Sequence, residues 1–186
     1  MFQLARFTAL LCLALALALP RLALAQTPLT KWYLAEGATG FFEEEILIAN
    51  PGATPAEVTI TYLLPTGDPV IRNITVGATS RTTVRVNDVI AASAVSAVVE
   101  STTPIIVERS MYWGGAARLG GHNTTGVLQP AMEWHLAEGV SNAVFDTFLL
   151  VANPNDVDVS IEVSYLGDDG IKDVDTYTVR AKSRFN

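Results

Sequence analysis

Of four charged side chains, Glu36, Glu108 and Arg109 stand inside motifs that are otherwise largely apolar or aromatic, and Arg81 lies between Ser80 and Thr82. Glu36 closes the run Trp32-Tyr33-Leu34-Ala35, and Glu108-Arg109 interrupt a stretch that begins at Pro104 and ends at Trp113. A guanidinium facing a carboxylate forms a short, charge-assisted and often bidentate hydrogen-bonded fork. The expectation is a structural ion pair at a sheet edge, in which Glu36 or Glu108 meets Arg81 or Arg109. The same groups could instead hold an anionic or sugar ligand, and the sequence leaves both uses open.

Other chemistry has thinner support. Beyond residue 25 the chain has two histidines, His122 and His135, and no cysteine. It contains no His-Glu-x-x-His, Gly-x-Ser-x-Gly or phosphate-loop pattern. A triad through His122 would need a serine and an acid brought to it by folding. The acidic runs Glu43-Glu44-Glu45 and Asp168-Asp169, with Asp173 and Asp175, lack the spacing of a calcium loop, and calcium takes six to eight converging oxygens. They are expected to be solvated strand faces and turn tips. No metal, cofactor or catalytic residue is assigned. Trp32, Tyr33, Tyr112, Trp113 and Trp134 could form a sugar-stacking platform, but such side chains more often fill a core or a joint. Trp113 and Trp134 flank a glycine-rich segment and are expected at the joint between two units.

A recurrence in the sequence predicts two units. Trp32-Tyr33-Leu34-Ala35-Glu36-Gly37 returns as Trp134-His135-Leu136-Ala137-Glu138-Gly139, and Ala49-Asn50-Pro51 returns as Ala152-Asn153-Pro154. Tyr62-Leu63 matches Tyr165-Leu166, and Ser80-Arg81 matches Ser183-Arg184. A period of roughly 100 residues suits beads of whole domains better than a solenoid of small units. The comparison separates shared from private residues: Glu36 and Arg81 recur, whereas His135 replaces Tyr33 and neither acidic run is kept. Asn186 aligns with Thr83, so the second copy has no counterpart of residues 84–130 and is expected to be incomplete. The organisation expected is a signal peptide over 1–25, a first repeat over 26–131 and a truncated second repeat over 132–186.

The elements that would position these residues are strands. Val58, Ile60, Tyr62 and Leu64 alternate with Thr59, Thr61 and Leu63, the period-two pattern of a half-buried strand. Pro65-Thr66-Gly67-Asp68 is turn chemistry leading to a strand over 70–76. Further strands are expected over 32–35, 45–50, 79–86, 96–101 and 104–113. Seven short strands predict an all-β fold of tandem antiparallel immunoglobulin-like sandwiches, with a small barrel as the alternative. The segment from Gly114 to Pro130 shows little periodicity and is expected to be mainly a linker, with Val127-Leu128 available as a final strand.

Residues 1–25 have the form of a cleavable signal segment: Arg6, an apolar run from Leu10 to Leu19, the helix breaker Pro20, and Ala23-Leu24-Ala25 before Gln26. The run is short for a membrane span. Without that segment ten basic residues face nineteen acidic ones. A surface so acidic is a poor partner for nucleic acid, which needs clustered Lys and Arg. Without cysteine in the mature part, each domain must stand on its apolar core.

The hexapeptide, the Ala-Asn-Pro motif, Val107-Glu108-Arg109-Ser110-Met111-Tyr112-Trp113 and Gly120-Gly121-His122-Asn123 together resemble a tandem repeat of bacterial secreted and surface proteins, a domain of unknown function. That family occurs in multi-copy arrays, sometimes beside cell-wall hydrolase or cell-wall-binding modules. The resemblance implies a non-catalytic, extracellular structural or interaction module whose partners are neighbouring repeats. Binding to carbohydrate or cell wall, or service as an accessory domain of a hydrolase, are the alternatives.

Overall fold

The computed structural model describes residues 29–186; the expected signal segment lies outside them. The described chain is built almost wholly from antiparallel strands. In order these are β1 (Leu29–Leu34), β2 (Glu43–Asn50), β3 (Ala56–Leu63), β4 (Val70–Val76), β5 (Ser80–Arg85), β6 (Ser96–Trp113) and β7 (Gly120–Thr125). Four more follow: β8 (Val151–Asn153), β9 (Val159–Gly167), β10 (Gly170–Val179) and β11 (Ser183–Phe185). Among the described residues no helix is long and apolar enough to cross a membrane.

Strands β1 to β7 form a β-sandwich whose two sheets share one strand. β6 runs for 18 residues, where the sequence predicts two strands divided near Pro104. Its first half pairs with β3 and β1, with Val99 opposite both Ile60 and Trp32. Its second half pairs with β2 and β7, with Met111 opposite Glu44 and His122. The sheets are therefore β4-β3-β6-β1 and β5-β2-β6-β7. Pro104 cannot donate to a ladder, and it lies where the partners of β6 change over, so the strand continues past it.

The segment 114–130 is not the linker expected. It carries β7, and Val127 then exchanges two 2.9 Å backbone hydrogen bonds with Tyr33 of β1, closing that side of the sandwich. β7 has almost no apolar side chain of its own. Its glycines are covered from β6 instead: a Cβ on Gly120 would lie 2.5 Å from the Trp113 indole, and one on Gly121 would lie 2.7 Å from the Tyr112 ring. Aromatic rings laid across strand glycines supply the packing that the glycines lack.

Inside, the alternating residues of β2, β3 and β6 meet: Ile46 and Ile48, Val58 and Ile60, Val99, Ile105 and Val107. Each such side chain contributes about 1.5–3 kcal/mol when fully buried. Trp32 is also fully buried, and its Nε1 lies 3.1 Å from the carbonyls of both Leu29 and Ile105.

The Ala-Asn-Pro motif has a structural explanation. Asn50 is buried and its Nδ2 donates to the carbonyls of Thr54, Val76 and Gly77 at 2.9, 3.1 and 3.0 Å, while its Oδ1 accepts from the Gly52 amide at 2.9 Å. Asn153 repeats the set, with Nδ2 on Val157, Val179 and Arg180 at 2.8, 3.0 and 2.9 Å and Oδ1 on the Asn155 amide at 3.1 Å. One side chain thus ties a strand end, the following turn and the β4–β5 or β10–β11 connection.

Strands β8 to β11 reproduce the pairings β2–β5 and β3–β4. The stretch from Trp134 to Leu150 contains no strand. Its counterparts β1 and β2 ladder onto β6. Trp134 is 58% exposed where Trp32 is 0% exposed.

Candidate functional site

A buried cluster of charges occupies one end of the sandwich, and β2 explains why. Its period of two turns Glu44 to the side of Ile46, Ile48 and Asn50, and turns Glu43 and Glu45 outward. The run Glu43-Glu44-Glu45 is therefore not the solvated face expected. Outside, the Arg118 guanidinium stacks 4.0 Å from the Tyr112 ring centre and bonds Glu43 at 3.1 Å and Glu45 at 2.7 Å. Inside, Glu44 is 2% exposed. Its amide donates to Asn87 Oδ1 at 2.9 Å, and Asn87 Nδ2 donates to the Phe42 carbonyl at 2.8 Å. A Cβ on Gly37 would stand 2.4 Å from Glu44 Oε1, so only glycine leaves room for this carboxylate. Burial pushes the Glu44 carboxyl up to about 8, against the opposing pull of Arg109, the Ala38 amide and Arg184.

Arg109 projects inward from β6, opposite Ile46, and is fully buried. Its Nη2 donates to Glu36 Oε2 at 2.8 Å. Of the four charges singled out from sequence, Glu36 and Arg109 are the two the fold brings together. Arg81 is exposed on the edge strand β5, with Nη2 3.4 Å from Thr83 Oγ1. Glu108 is half-buried and, among the described residues, has no cationic partner. His122, on β7, lies 3.2 Å through Nε2 from the second oxygen of Glu36 and 3.4 Å through Nδ1 from Arg109 Nη2. One ring nitrogen of His122 thus faces the guanidinium and the other faces the carboxylate. A Ser-His-acid set needs a hydroxyl on the second nitrogen, and here that nitrogen faces arginine.

The final member comes from the other end of the chain. Arg184 of β11 is 3% exposed. Its Nη1 donates to the Gly37 carbonyl at 3.1 Å, and its backbone amide donates to the Leu64 carbonyl at 3.3 Å. Burial lowers the proton affinity of its guanidinium, with Glu44 and Glu36 acting in the opposite sense. Arg109 Nε and Nη1, Arg184 Nε and Nη2, and Glu44 Oε2 have no hydrogen-bond partner among the described residues. Among the described residues the cluster is joined by the Arg109–Glu36 pair and by the Arg184 bond to Gly37, with these remaining buried polar atoms unpaired.

The alignment of the two copies pairs Arg184 with Arg81 but gives no sign that one is buried and the other free. Glu44 is detectable: three consecutive glutamates before Ile46 on a period-two strand place the middle one inward. Trp113 is 38% exposed and packs edge-on to Phe42, with ring centres 6.4 Å apart, and beside His122 at 6.3 Å. Among the described residues, Arg184 makes the hydrogen bonds that join residues 151–186 to the β1–β7 sandwich, while Trp134 stays largely exposed. On the outer face, an open groove of about 410 Å³ is lined by Ser110, Tyr112, Arg118, Gly120, Gly121, His122 and Asn123. Among the described residues no three His, Cys, Asp or Glu side chains converge as a metal site would require.

No family model matches the chain, and no curated protein matches it. Among solved structures it is similar to that titled Crystal Structure of Thermotoga maritima 1070, with a TM-score of 0.51 and 21% identity over 55% of this chain and 96% of that one. It also aligns with the Anabaena sensory rhodopsin transducer, at a TM-score of 0.40 and 30% identity over 47% of this chain and 99% of that one. The first likeness is one of fold alone, and little more than half of this chain covers that protein almost end to end.

Proposed function

We propose that this chain is a non-catalytic structural and interaction module of an extracellular tandem-repeat protein, a stretch of bacterial surface array in which successive sandwiches are held in fixed orientation. The observation that carries this reading is the seating of Arg184, from the second copy, on Gly37 of the first, beside Glu36, Glu44 and Arg109. A linker between independent beads would not bury a guanidinium. The recurrence of Asn50 and Asn153 with matching hydrogen bonds supports the repeat, and the signal-like residues 1–25 support secretion.

Glycan or cell-wall binding is the second reading, favoured by the open groove and by Trp113 and Phe41 at the surface. Two features weigh against a stacking platform. The Tyr112 ring is covered by Arg118, and Phe41, Phe42 and Trp113 meet edge to face rather than in one plane. A binding screen of the full chain against peptidoglycan and a glycan panel separates the two readings. The module reading expects no saturable binding. Saturable binding abolished by Trp113→Ala or Tyr112→Ala would replace it with the second.

A further inference from the structure

We infer that Arg81 is a docking residue for a second copy of this chain, seating on the Glu138–Gly139 loop as Arg184 seats on the Glu36–Gly37 loop. The inference rests on the joint described above being a true unit-to-unit contact. Arg81 and Arg184 hold equivalent places: Arg81 lies opposite Ala49 in the β5–β2 ladder, and Arg184 lies opposite Ala152 in the β11–β8 ladder. Each follows a serine and a left-handed residue, Thr79 at φ 47° and Lys182 at φ 50°, whose amide bonds the carbonyl of Gly52 after β2 or of Asn155 after β8 at 2.9 Å. The backbone therefore aims both arginines alike. Arg184 is buried; Arg81 is exposed on β5, the edge strand of its sheet.

The second copy offers the complementary surface. Gly37 and Leu64, which accept from Arg184, correspond to Gly139 and Gly167, and both are exposed, as is Glu138. Glu36 is engaged by Arg109, whereas Glu138 has no cationic partner among the described residues. Asp169 is paired with Lys172, but Asp168, which follows Gly167 directly, also lacks a cationic partner among the described residues. A guanidinium arriving there meets uncompensated negative charge. Donor and acceptor surfaces lie on different copies of the unit, so the contact is heterologous. Repeated from chain to chain it yields open head-to-tail strings rather than a closed dimer.

The absence of cysteine beyond residue 25 makes the test direct. In the full chain with Cys12→Ser, Thr83→Cys and Gly167→Cys leave Arg81 in place and flank the proposed contact. A short bis-maleimide should then give a ladder of dimers and higher species, growing with protein concentration. Adding Arg81→Ala should reduce the ladder about tenfold, the loss expected for one charge-assisted contact. A separate pair, Thr66→Cys with Asn186→Cys, reports the joint within one chain. A monomer-only pattern from the first pair beside an intramolecular cross-link from the second overturns the docking of Arg81 and leaves the array reading standing. Failure of both cross-links overturns both. A ladder that persists unchanged with Arg81→Ala also overturns the inference, because association then has another cause.

Discussion

Arg184 Nη1 lies 3.1 Å from the carbonyl of Gly37, joining residues 147 positions apart in the chain. Gly37 has two further duties. It follows Glu36, which holds Arg109, and its missing Cβ gives Glu44 its place. One glycine thus connects β11 to the charged interior of the β1–β7 sandwich, and the consequences of disturbing the cluster can be ordered.

Removing Glu36 should cost more than removing Arg109. Breaking a buried pair costs about 3–5 kcal/mol when the charge left behind is stranded in the interior, and less when the remaining charge can still reach water. Arg109 is fully buried and Glu36 about one-third exposed, so Glu36→Ala strands a guanidinium while Arg109→Met leaves a carboxylate that water can reach. Urea unfolding should show Glu36→Ala destabilised by about 2 kcal/mol, below the fully buried figure, and Arg109→Met by less. The reverse order would contradict the pairing.

Glu44 should make the fold less stable as pH rises. Its carboxyl is raised from an ordinary 4.5 to about 8 in the folded chain. Between those values the folded state holds a proton that the unfolded state has released, so this group's contribution is fully present below 4.5 and is lost as pH climbs through 8. At about 1.4 kcal/mol per pKa unit the full effect is on the order of a few kcal/mol. Glu44→Gln mimics the protonated form. The melting temperature of wild type should fall relative to Glu44→Gln between about pH 5 and about pH 8.5; parallel curves would contradict the burial of this group.

Asn50→Ala should be severe and Asn153→Ala selective. Each asparagine satisfies three carbonyls and one amide, and each buried group left unpaired costs about 1–3 kcal/mol. Asn50→Ala should therefore lower the stability of the first sandwich by several kcal/mol. Asn153→Ala should loosen the β8–β11 pair that presents Arg184, while β1 to β7 stay protected. Amide hydrogen exchange resolved by segment distinguishes these outcomes. Equal loss of protection everywhere after Asn153→Ala would contradict them.

Much of this arrangement was legible in the chain. Alternation in Val58-Thr59-Ile60-Thr61-Tyr62 marks β3 because one face of that strand is buried and the other half-exposed. An ion pair drawn from Glu36, Glu108, Arg81 and Arg109 was foreseeable, since buried charges need partners on folding, but which two would meet was not. Three features were hidden for distinct reasons. β7 carries no periodicity because its packing is supplied by Tyr112 and Trp113 of the neighbouring strand. β6 passes through Pro104 because its partners change there, which is a property of topology rather than of local propensity. Arg184 looks like Arg81 in sequence, and only docking between the two copies makes one a core residue and leaves the other at the surface.

If the Arg184–Gly37 contact fixes the two copies relative to one another, the distance between them must be narrowly distributed. Spin labels at Thr75→Cys on β4 and Thr176→Cys on β10, both exposed positions, report that distance in the Cys12→Ser chain. Double electron–electron resonance should give one narrow distribution, which Arg184→Ala broadens while the circular dichroism spectrum stays strand-rich. A distribution already broad with Arg184 present, or one that Arg184→Ala leaves narrow, would contradict the account.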